Sequence, residues 1–263
     1  MSQELSGIVV AVTRPRDQSQ ELVRLIESHG GAALLYPLIA ITVEVDGNAL
    51  RAAAAENVDA LVFTSANGVR AYLAGVGAPS SPGERARTAY PPALCVGSQT
   101  AATAQSAGIT VLAVPKTFAA DQLAQTVLAA GMVNRRLLLV RGNLADEQLA
   151  STLRSLGCAV VEIVGYRTTE APDEARRLVA DAQAGRVQVV TFASGSAVAV
   201  FARTPGADSL PAGVRIASIG PKTSRLLAQH GIGVDVTAAA ATGADLVAAL
   251  CNYFAAHKRN QNH

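Results

Sequence analysis

Hydroxyl and cationic side chains recur directly after short apolar runs, and this pattern could bind an anion. Arg14 follows GIVVAVT and Arg141 ends RRLLLVR, while Ser65 follows DALVFT and Ser194 follows VQVVTFA. In parallel α/β sheets such turns lie beyond the carboxyl ends of the strands, where helix N-termini point backbone N–H groups outward. Hydroxyls, amides and a few cations at these turns would bind carboxylates or phosphates.

Equivalent turns in the two halves of the chain supply the remaining candidates. The complete set of candidate binding residues is Arg14, Thr64, Ser65, Ser98, Thr100, Arg141, Ser194, Gly195, Ser196, Lys222 and Thr223. Taken singly, a serine or threonine at such a turn is an ordinary helix N-cap worth about 1 kcal/mol, and an arginine at a strand end is usually a solvated charge. Each half has an arginine at the matching turn, Arg14 in the first and Arg141 in the second. This favours anion binding, because helix capping does not require arginine.

These turns belong to modules that occur twice. The segment FTSANGV (63–69) is matched by FASGSAV (192–198), and VGSQTAATAQSAGITV (96–111) is matched by IGPKTSRLLAQHGIGV (219–234). AVTRP near the start is matched by LLVRG, and the number of residues between the two copies is nearly the same for all three modules. The sequence therefore predicts an internally duplicated domain.

The elements that position these turns are short β-branched runs that alternate with segments of helical period. Continuous apolar strands between helices are typical of a parallel sheet covered on both faces. Gly30, Gly108, Gly157 and Gly231 each end a helical pattern just before a new apolar run, where a residue with positive φ is favoured. The predicted fold class is α/β, with two similar parallel-sheet domains.

Two long apolar segments at matching positions suggest how the domains connect. AALLYPLIAITVEV (32–45) and AVVEIVGYRTTE (159–170) each read as one strand that runs past an ordinary loop position. If they form a two-stranded β linker, near 34–42 and 160–170, residues 1–37 and 168–263 form one discontinuous domain and 38–167 an inserted domain. A tandem arrangement with a break near residue 134 explains the repeat almost as well.

Several classes of function are disfavoured by composition and motifs. The net charge of +2 is too small to predict a nucleic-acid surface. No apolar run approaches the roughly 20 residues of a membrane span, and the N-terminus lacks the pattern of a signal peptide. Neither GSQTAAT nor GPKTSR has the spacing of a phosphate-binding P-loop, and no G-x-G-x-x-G follows a strand. We expect a cytoplasmic protein without nucleic-acid, membrane or nucleotide partners.

Metal and nucleophile chemistry are also disfavoured. Cys95, Cys158 and Cys251 lie far apart in apolar surroundings, as buried thiols do in a reducing compartment. His29 and His230 precede helix-ending glycines, where an imidazole favourably meets the helix dipole. No G-x-S-x-G turn occurs. We therefore expect no metal and no cofactor.

Taken in order, TRP, FTSANGV, VGSQTA, LLLVRG, GYRT, FASGSAV and IGPKT resemble the uroporphyrinogen-III synthase family over almost the whole chain. The resemblance implies a cofactor-free, cyclising hydro-lyase of tetrapyrrole biosynthesis (haem, sirohaem and cobalamin). Such an enzyme takes linear hydroxymethylbilane, removes water and closes the macrocycle with the last pyrrole ring inverted. It further implies an active site in the cleft between the two domains. We also expect a monomer in transient contact with hydroxymethylbilane synthase.

The resemblance also implies roles for individual residues. Tyr166, in GYRT, matches the tyrosine proposed in this family to assist loss of the hydroxyl. The alternative is a structural role, in which Tyr166 is a half-buried aromatic residue that packs in the linker between the domains. Ala193 stands where family members often carry a hydroxyl, which removes one expected hydrogen bond.

Two other functions remain open on the residues alone. One is a two-lobed cytoplasmic anion-binding protein without catalysis. The other is a glycosyltransferase-like enzyme, which would need a nucleotide-sugar pocket with a carboxylate on the ribose.

Overall fold

The chain forms two compact units in a computed structural model that describes residues 3–77, 90–115, 120–145 and 147–261. Unit 1 comprises Met1–Ala40 and Thr169–His263, and unit 2 comprises Ile41–Thr168. Over the described residues, no helix is both long enough and apolar enough to cross a membrane.

Strands and helices alternate along most of the chain, as the α/β class requires. The strands are β1 (Val9–Val12), β2 (Ala32–Leu35), β3 (Ile39–Val43), β4 (Ala60–Phe63), β5 (Ala93–Cys95), β6 (Val111–Ala113), β7 (Arg136–Gly142), β8 (Ala159–Glu170), β9 (Val189–Phe192), β10 (Arg215–Ser218) and β11 (Val236–Thr237). The α-helices are α1 (Gln20–Ser28), α2 (Gly47–Ala55), α3 (Ala66–Val76), α4 (Ser98–Ser106), α5 (Ala120–Ala129), α6 (Gln148–Ser155), α7 (Pro172–Gln183), α8 (Gly195–Ala202), α9 (Pro221–Gln229) and α10 (Gly243–Gln261).

Each unit is built on one sheet. The unit 1 sheet has the order β11-β10-β9-β1-β2, and every pair in it is parallel. The unit 2 sheet has the order β3-β8-β7-β4-β5-β6, and its strands from β8 to β6 are parallel. These parallel sheets confirm the α/β class predicted from the apolar runs.

The five parallel strands of each sheet correspond, as the sequence repeat requires, and β3 is an additional strand of unit 2. When the repeated modules are matched, β7, β8, β4, β5 and β6 of unit 2 take the places of β1, β2, β9, β10 and β11 of unit 1. The register also agrees, because Val12 pairs with Thr191 in unit 1 and Leu139 pairs with Val62 at the equivalent position of unit 2. Unit 2 thus has the topology of unit 1 with its first two strands moved to the end of the segment.

This strand order fixes where a ligand is expected. It is the flavodoxin-like order, in which the connections turn in opposite directions on either side of the first strand. The resulting crevice lies at the carboxyl ends of β1 and β9 in unit 1, and of β7 and β4 in unit 2. We call the side of each sheet at which its parallel strands end the carboxyl-end edge.

The segment 32–45 differs from the single strand predicted for it. It is divided into β2 and β3 at Tyr36, Pro37 and Leu38. Proline has no N–H to donate to a neighbouring strand. The flanking amides of Tyr36 and Leu38 instead donate to the carbonyl oxygens of Val12 and Thr13, at 3.0 and 3.3 Å. The chain therefore turns inward here, with Tyr36 and Leu38 buried.

Backbone conformation and thiol burial agree with the sequence predictions. The four glycines predicted to end helices, Gly30, Gly108, Gly157 and Gly231, all have positive φ, between 74° and 83°. Cys95, Cys158 and Cys251 are free and buried.

Two buried tyrosines should make the protein sensitive to alkali. Tyr36 donates a 2.6 Å hydrogen bond to Asp181 Oδ2, and burial followed by this bond raises its pKa from 10.0 to about 12. Burial likewise raises the pKa of Tyr72, in the unit 2 core, to about 12. A phenol is neutral while protonated, so a raised pKa in the folded state contributes stability that is complete below pH 10.0 and lost as the pH rises through 12.

We therefore expect the free energy of unfolding to fall between pH 10 and pH 12, measured by denaturant titration at each pH. Tyr36→Phe should make this alkaline loss shallower, because one of the two ionising groups is gone. An alkaline profile of Tyr36→Phe that is as steep as that of the wild type would contradict the prediction.

Candidate functional site

The carboxyl-end edge of unit 2 brings Ser65 and Tyr166 together. Ser65 is the N-cap of α3, and its Oγ accepts a 3.2 Å hydrogen bond from the backbone N–H of Gly68. The same oxygen lies 2.9 Å from the hydroxyl of Tyr166. Two residues that are 101 apart in the sequence thus form one polar contact at the end of β4.

A bulge and a glycine allow Tyr166 to reach this position. The pairing of β7 with β8 shifts between Arg141 and Gly142, so that Gly142 faces Tyr166. A Cβ atom on Gly142 would lie 2.6 Å from Cε2 and 2.7 Å from Cζ of the Tyr166 ring. Only glycine leaves room for the ring, which therefore packs directly on the β7 backbone.

Asn143 fixes the strand that carries the tyrosine. Its backbone N–H donates to the carbonyl oxygen of Tyr166 at 3.2 Å, and its side-chain Oδ1 accepts from the N–H of Thr168 at 2.7 Å. Asn143 therefore holds β8 on both sides of Arg167. Neither Gly142 nor Asn143 was selected in the sequence analysis, although both directly follow Arg141 in the repeated module.

Arg141 is engaged within unit 2. Its Nε lies 2.8 Å from Oε2 of Glu162, a close ion pair without the alignment of a hydrogen bond. Its Nη1 donates to the carbonyl oxygen of Ala145 at 2.8 Å. Glu162 also accepts a 2.7 Å hydrogen bond from Arg154. The charge of Arg141 is thus largely compensated by Glu162, which the sequence reading did not select.

The next turn of unit 2 presents the start of α4. Gly97 precedes the helix with a φ of 98°, and Ser98 is its exposed first residue. Thr100 lies two residues further into the first turn and is 5% exposed. Thr64, the first residue after β4, is half-buried beside Ser65.

The carboxyl-end edge of unit 1 repeats this arrangement. Ser194 is the N-cap of α8 and accepts a 3.3 Å hydrogen bond from the backbone N–H of Ala197, as Ser65 does from Gly68. Gly195 is exposed at the first position of the helix, and Ser196 is half-buried. Ala193, which stands where family members often carry a hydroxyl, lies between the end of β9 and Ser194.

The third turn of unit 1 carries Lys222 and Thr223. Pro221 begins α9, Lys222 is exposed in its first turn, and Thr223 is 7% exposed. Arg14 follows β1 and is half-buried. All the candidates of unit 1 therefore lie at one edge of its sheet, as predicted.

Two buried threonines join the central strands of unit 1 at the same edge. Thr13 donates from its hydroxyl to the carbonyl oxygen of Thr191 at 2.6 Å, and Thr191 donates to that of Ala11 at 2.8 Å. These bonds tie the end of β1 to β9 beside Arg14. The sequence reading missed them because threonine is also an ordinary strand residue.

Chemically, each edge offers helix N-termini, hydroxyls and a small number of cations, which suit carboxylates. Unit 2 adds a phenol hydroxyl that is already hydrogen-bonded to a serine. A phenol hydroxyl can donate a hydrogen bond to a departing oxygen.

Comparison with known proteins identifies the family of the chain. The family model described as "Uroporphyrinogen-III synthase HemD" matches residues 20–248. The chain is 29% identical over 234 residues to a uroporphyrinogen-III synthase from Chlorobaculum parvum, covering 86% of this chain and 91% of that protein.

Solved structures show the same fold. A mutant uroporphyrinogen III synthase from Thermus thermophilus superimposes with a TM-score of 0.70 at 19% identity, covering 95% of this chain and 100% of that one. The uroporphyrinogen-III synthetase from Helicobacter pylori gives a TM-score of 0.54 at 19% identity, covering 92% and 98%. Because the family model spans most of the chain, this protein belongs to the uroporphyrinogen-III synthase family.

Proposed function

We propose that the protein is a lyase that converts linear hydroxymethylbilane to uroporphyrinogen III, with loss of water and inversion of the last pyrrole ring. The observation that carries the proposal is the contact between Ser65 Oγ and Tyr166 at a carboxyl-end edge, in a chain that the family model matches over residues 20–248. The two hydroxyl groups can donate hydrogen bonds to a ligand at the carboxyl-end edge, which is where parallel α/β sheets bind ligands.

The substrate is a polycarboxylate, and both edges have groups that suit it. We assign binding of its carboxylates to side chains and helix N-termini from both units: Arg14, Thr64, Ser65, Ser98, Thr100, Arg141, Ser194, Gly195, Ser196, Lys222 and Thr223. Among these, Ser65 and Ser194 cap helices whose free N–H groups can bind further oxygens. Arg141 would attract the substrate carboxylates through its positive charge more than by direct contact, since Glu162 already lies beside its guanidinium group.

Tyr166 is the residue we assign to loss of the hydroxyl. Its hydroxyl would donate a hydrogen bond to the substrate hydroxyl as the carbon–oxygen bond breaks. The electron pair on the pyrrole nitrogen expels the oxygen as hydroxide, and the resulting cation loses its N–H proton to give the azafulvene. The hydroxide and this proton together make up the water that is released. Ser65 holds the Tyr166 hydroxyl 2.9 Å away and so orients it before the substrate arrives.

Product choice depends on positioning. Without an enzyme the azafulvene that forms closes head to tail, so the protein must hold the substituted carbon of the last ring against it. The family mechanism then passes through a spiro intermediate. Positioning of reacting groups can lower a barrier by about 7–11 kcal/mol, which suits a site of amides and hydroxyls and requires no cofactor.

The physiological setting is part of the same proposal. Hydroxymethylbilane closes by itself, so rapid transfer from hydroxymethylbilane synthase through a transient contact would protect it. We propose a monomeric cytoplasmic enzyme, and the three free, buried thiols support a reducing compartment.

The test is a coupled assay. Porphobilinogen and a deaminase generate fresh hydroxymethylbilane, the protein is added, and the oxidised products are separated by isomer. We expect a dominant type III product, against type I in the control without the protein. If type I alone appears with the folded protein present, the synthase function is wrong for this chain. Anion binding without catalysis then becomes the better account.

A further inference from the structure

Three side chains with metal-binding atoms meet in unit 1, away from the candidate site. They are Glu4, His29 and Cys251, and one carboxylate oxygen, one ring nitrogen and the sulfur all lie within 4.8 Å of one another. A carboxylate, an imidazole and a thiol are the three ligand types that zinc takes from proteins.

The fold brings the three residues together from distant parts of the sequence. Leu5 is fully buried, and its N–H donates to the carbonyl oxygen of His29 at 3.1 Å, which fixes Glu4 beside the C-terminal end of α1. Cys251 lies in α10 and belongs to the same apolar cluster as Leu5 and Ile26 of α1. Packing of that cluster therefore sets the positions of all three ligands.

The hydrogen bonds of His29 leave a ring nitrogen for a metal ion. Its Nδ1 lies 2.9 Å from the carbonyl oxygen of Leu25, which can only accept, and 3.2 Å from the Ser28 hydroxyl, so we assign the tautomer in which Nδ1 carries the proton and donates it to Leu25. The lone pair is then on Nε2. Metal-binding histidines in proteins almost always donate their second nitrogen to a carbonyl or carboxylate in this way.

We propose that Glu4, His29 and Cys251 form a binding site for a divalent transition metal ion of the zinc class. Three protein ligands with partly exposed Glu4 and His29 leave a fourth position for water. The ion would join the segment before β1 to α1 and α10. This inference does not depend on the proposed synthase function.

The site lies at the other side of the sheet from the candidate active site. Helix α1 starts after the carboxyl end of β1 and runs back along it, so His29 lies near the amino ends of the strands. Glu4, just before β1, lies at the same side. The proposed metal therefore stabilises unit 1 and takes no part in ring closure.

Binding should release a proton. Zinc binds cysteine as the thiolate, so the Cys251 thiol must give up its proton when the ion binds. The metal ion replaces that proton on Sγ, and the proton passes to solvent. Affinity should therefore increase with pH.

The experiment is a titration of the chelator-treated full-length protein with Co²⁺, which replaces zinc and gives a thiolate-to-cobalt charge-transfer band. We expect the band to saturate at one equivalent and to disappear when Zn²⁺ is added. Zn²⁺ should also raise the midpoint of thermal unfolding, since it binds the folded state. Cys251→Ala and His29→Gln should each abolish both effects.

Matched controls come from the same chain. His230 is the C-cap of α9, immediately before a positive-φ glycine as His29 is, but it lies outside the cluster. Cys158 is a buried thiol outside the cluster. His230→Gln and Cys158→Ala should retain the band. A wild-type protein that gives no band, or a band that persists in Cys251→Ala, would overturn the proposal.

Discussion

Gly142→Ala should reduce formation of the type III product by about 10²-fold or more while the protein stays folded. The new methyl group would lie 2.6 Å from the Tyr166 ring and 2.9 Å from its hydroxyl oxygen, so the ring must move away from Ser65. Misplacement of a reacting group by about 1 Å can cost 10²-fold in rate. The measurement is kcat/KM in the coupled assay, with thermal unfolding recorded in parallel.

Gly213→Ala is the matched control, because a Cβ atom there meets no atom within 4 Å. Its rate should equal that of the wild type. Tyr166→Phe keeps the ring but removes the hydroxyl, and should cost about 10²-fold, the lower end of what a general acid contributes. The double variant should be no slower than Gly142→Ala alone, since both changes act on one group. Wild-type kinetics in Gly142→Ala would remove Tyr166 from the mechanism.

Phe63→Ala and Phe192→Ala should each destabilise their own unit by about 3–5 kcal/mol. The two residues occupy equivalent positions at the ends of β4 and β9, and both are fully buried. Phe63 packs edge-on against Tyr72 with ring centroids 5.7 Å apart, and Phe192 packs against Phe201 at 5.0 Å. Removal of either ring leaves a cavity in the core of one unit.

Hydrogen exchange read by peptide mass spectrometry separates the two effects. Phe63→Ala should speed exchange in β4, α3 and their neighbours in unit 2, and Phe192→Ala should do so around β9 and α8 in unit 1. Each variant is the control for the other, because the substitution is the same. Equal acceleration in both units by one substitution would mean that the whole chain unfolds in a single cooperative step.

The sequence predicts most of the fold because the fold depends on local patterns that occur twice. The apolar run around Phe63 and its copy around Phe192 predict paired strands, and the serines after them predict helix caps, which the structure contains. Pro37 is a local sign that the segment 32–45 forms two strands and not one, since proline disrupts a strand interior. The length of the apolar run outweighed that signal.

The parts of the site that were missed depend on contacts between distant residues. Glu162 gives no local sign that it lies beside Arg141, because its position follows from the register of β7 with β8. Gly142 is an ordinary strand-end glycine until Tyr166 is known to lie over it. His29 and Cys251 were interpreted as a helix-end imidazole and a buried thiol, because the sequence shows no spacing that connects them to each other or to Glu4. Only the packing of α1 with α10 brings the three together.

The order of strands along the chain determines when each sheet can be completed during synthesis on the ribosome. Unit 2 is continuous from residue 41 to residue 168, so its five parallel strands are made one after another with no segment of unit 1 between them. In unit 1, β1 lies between β2 and β9 in the sheet, yet β9 is made only after the whole of unit 2. Strand β1 therefore has one side unpaired throughout the synthesis of unit 2, and an unpaired apolar strand is a target for aggregation. Rapid folding of unit 2 does not shorten that wait, so β1 must be shielded until β9 has been made.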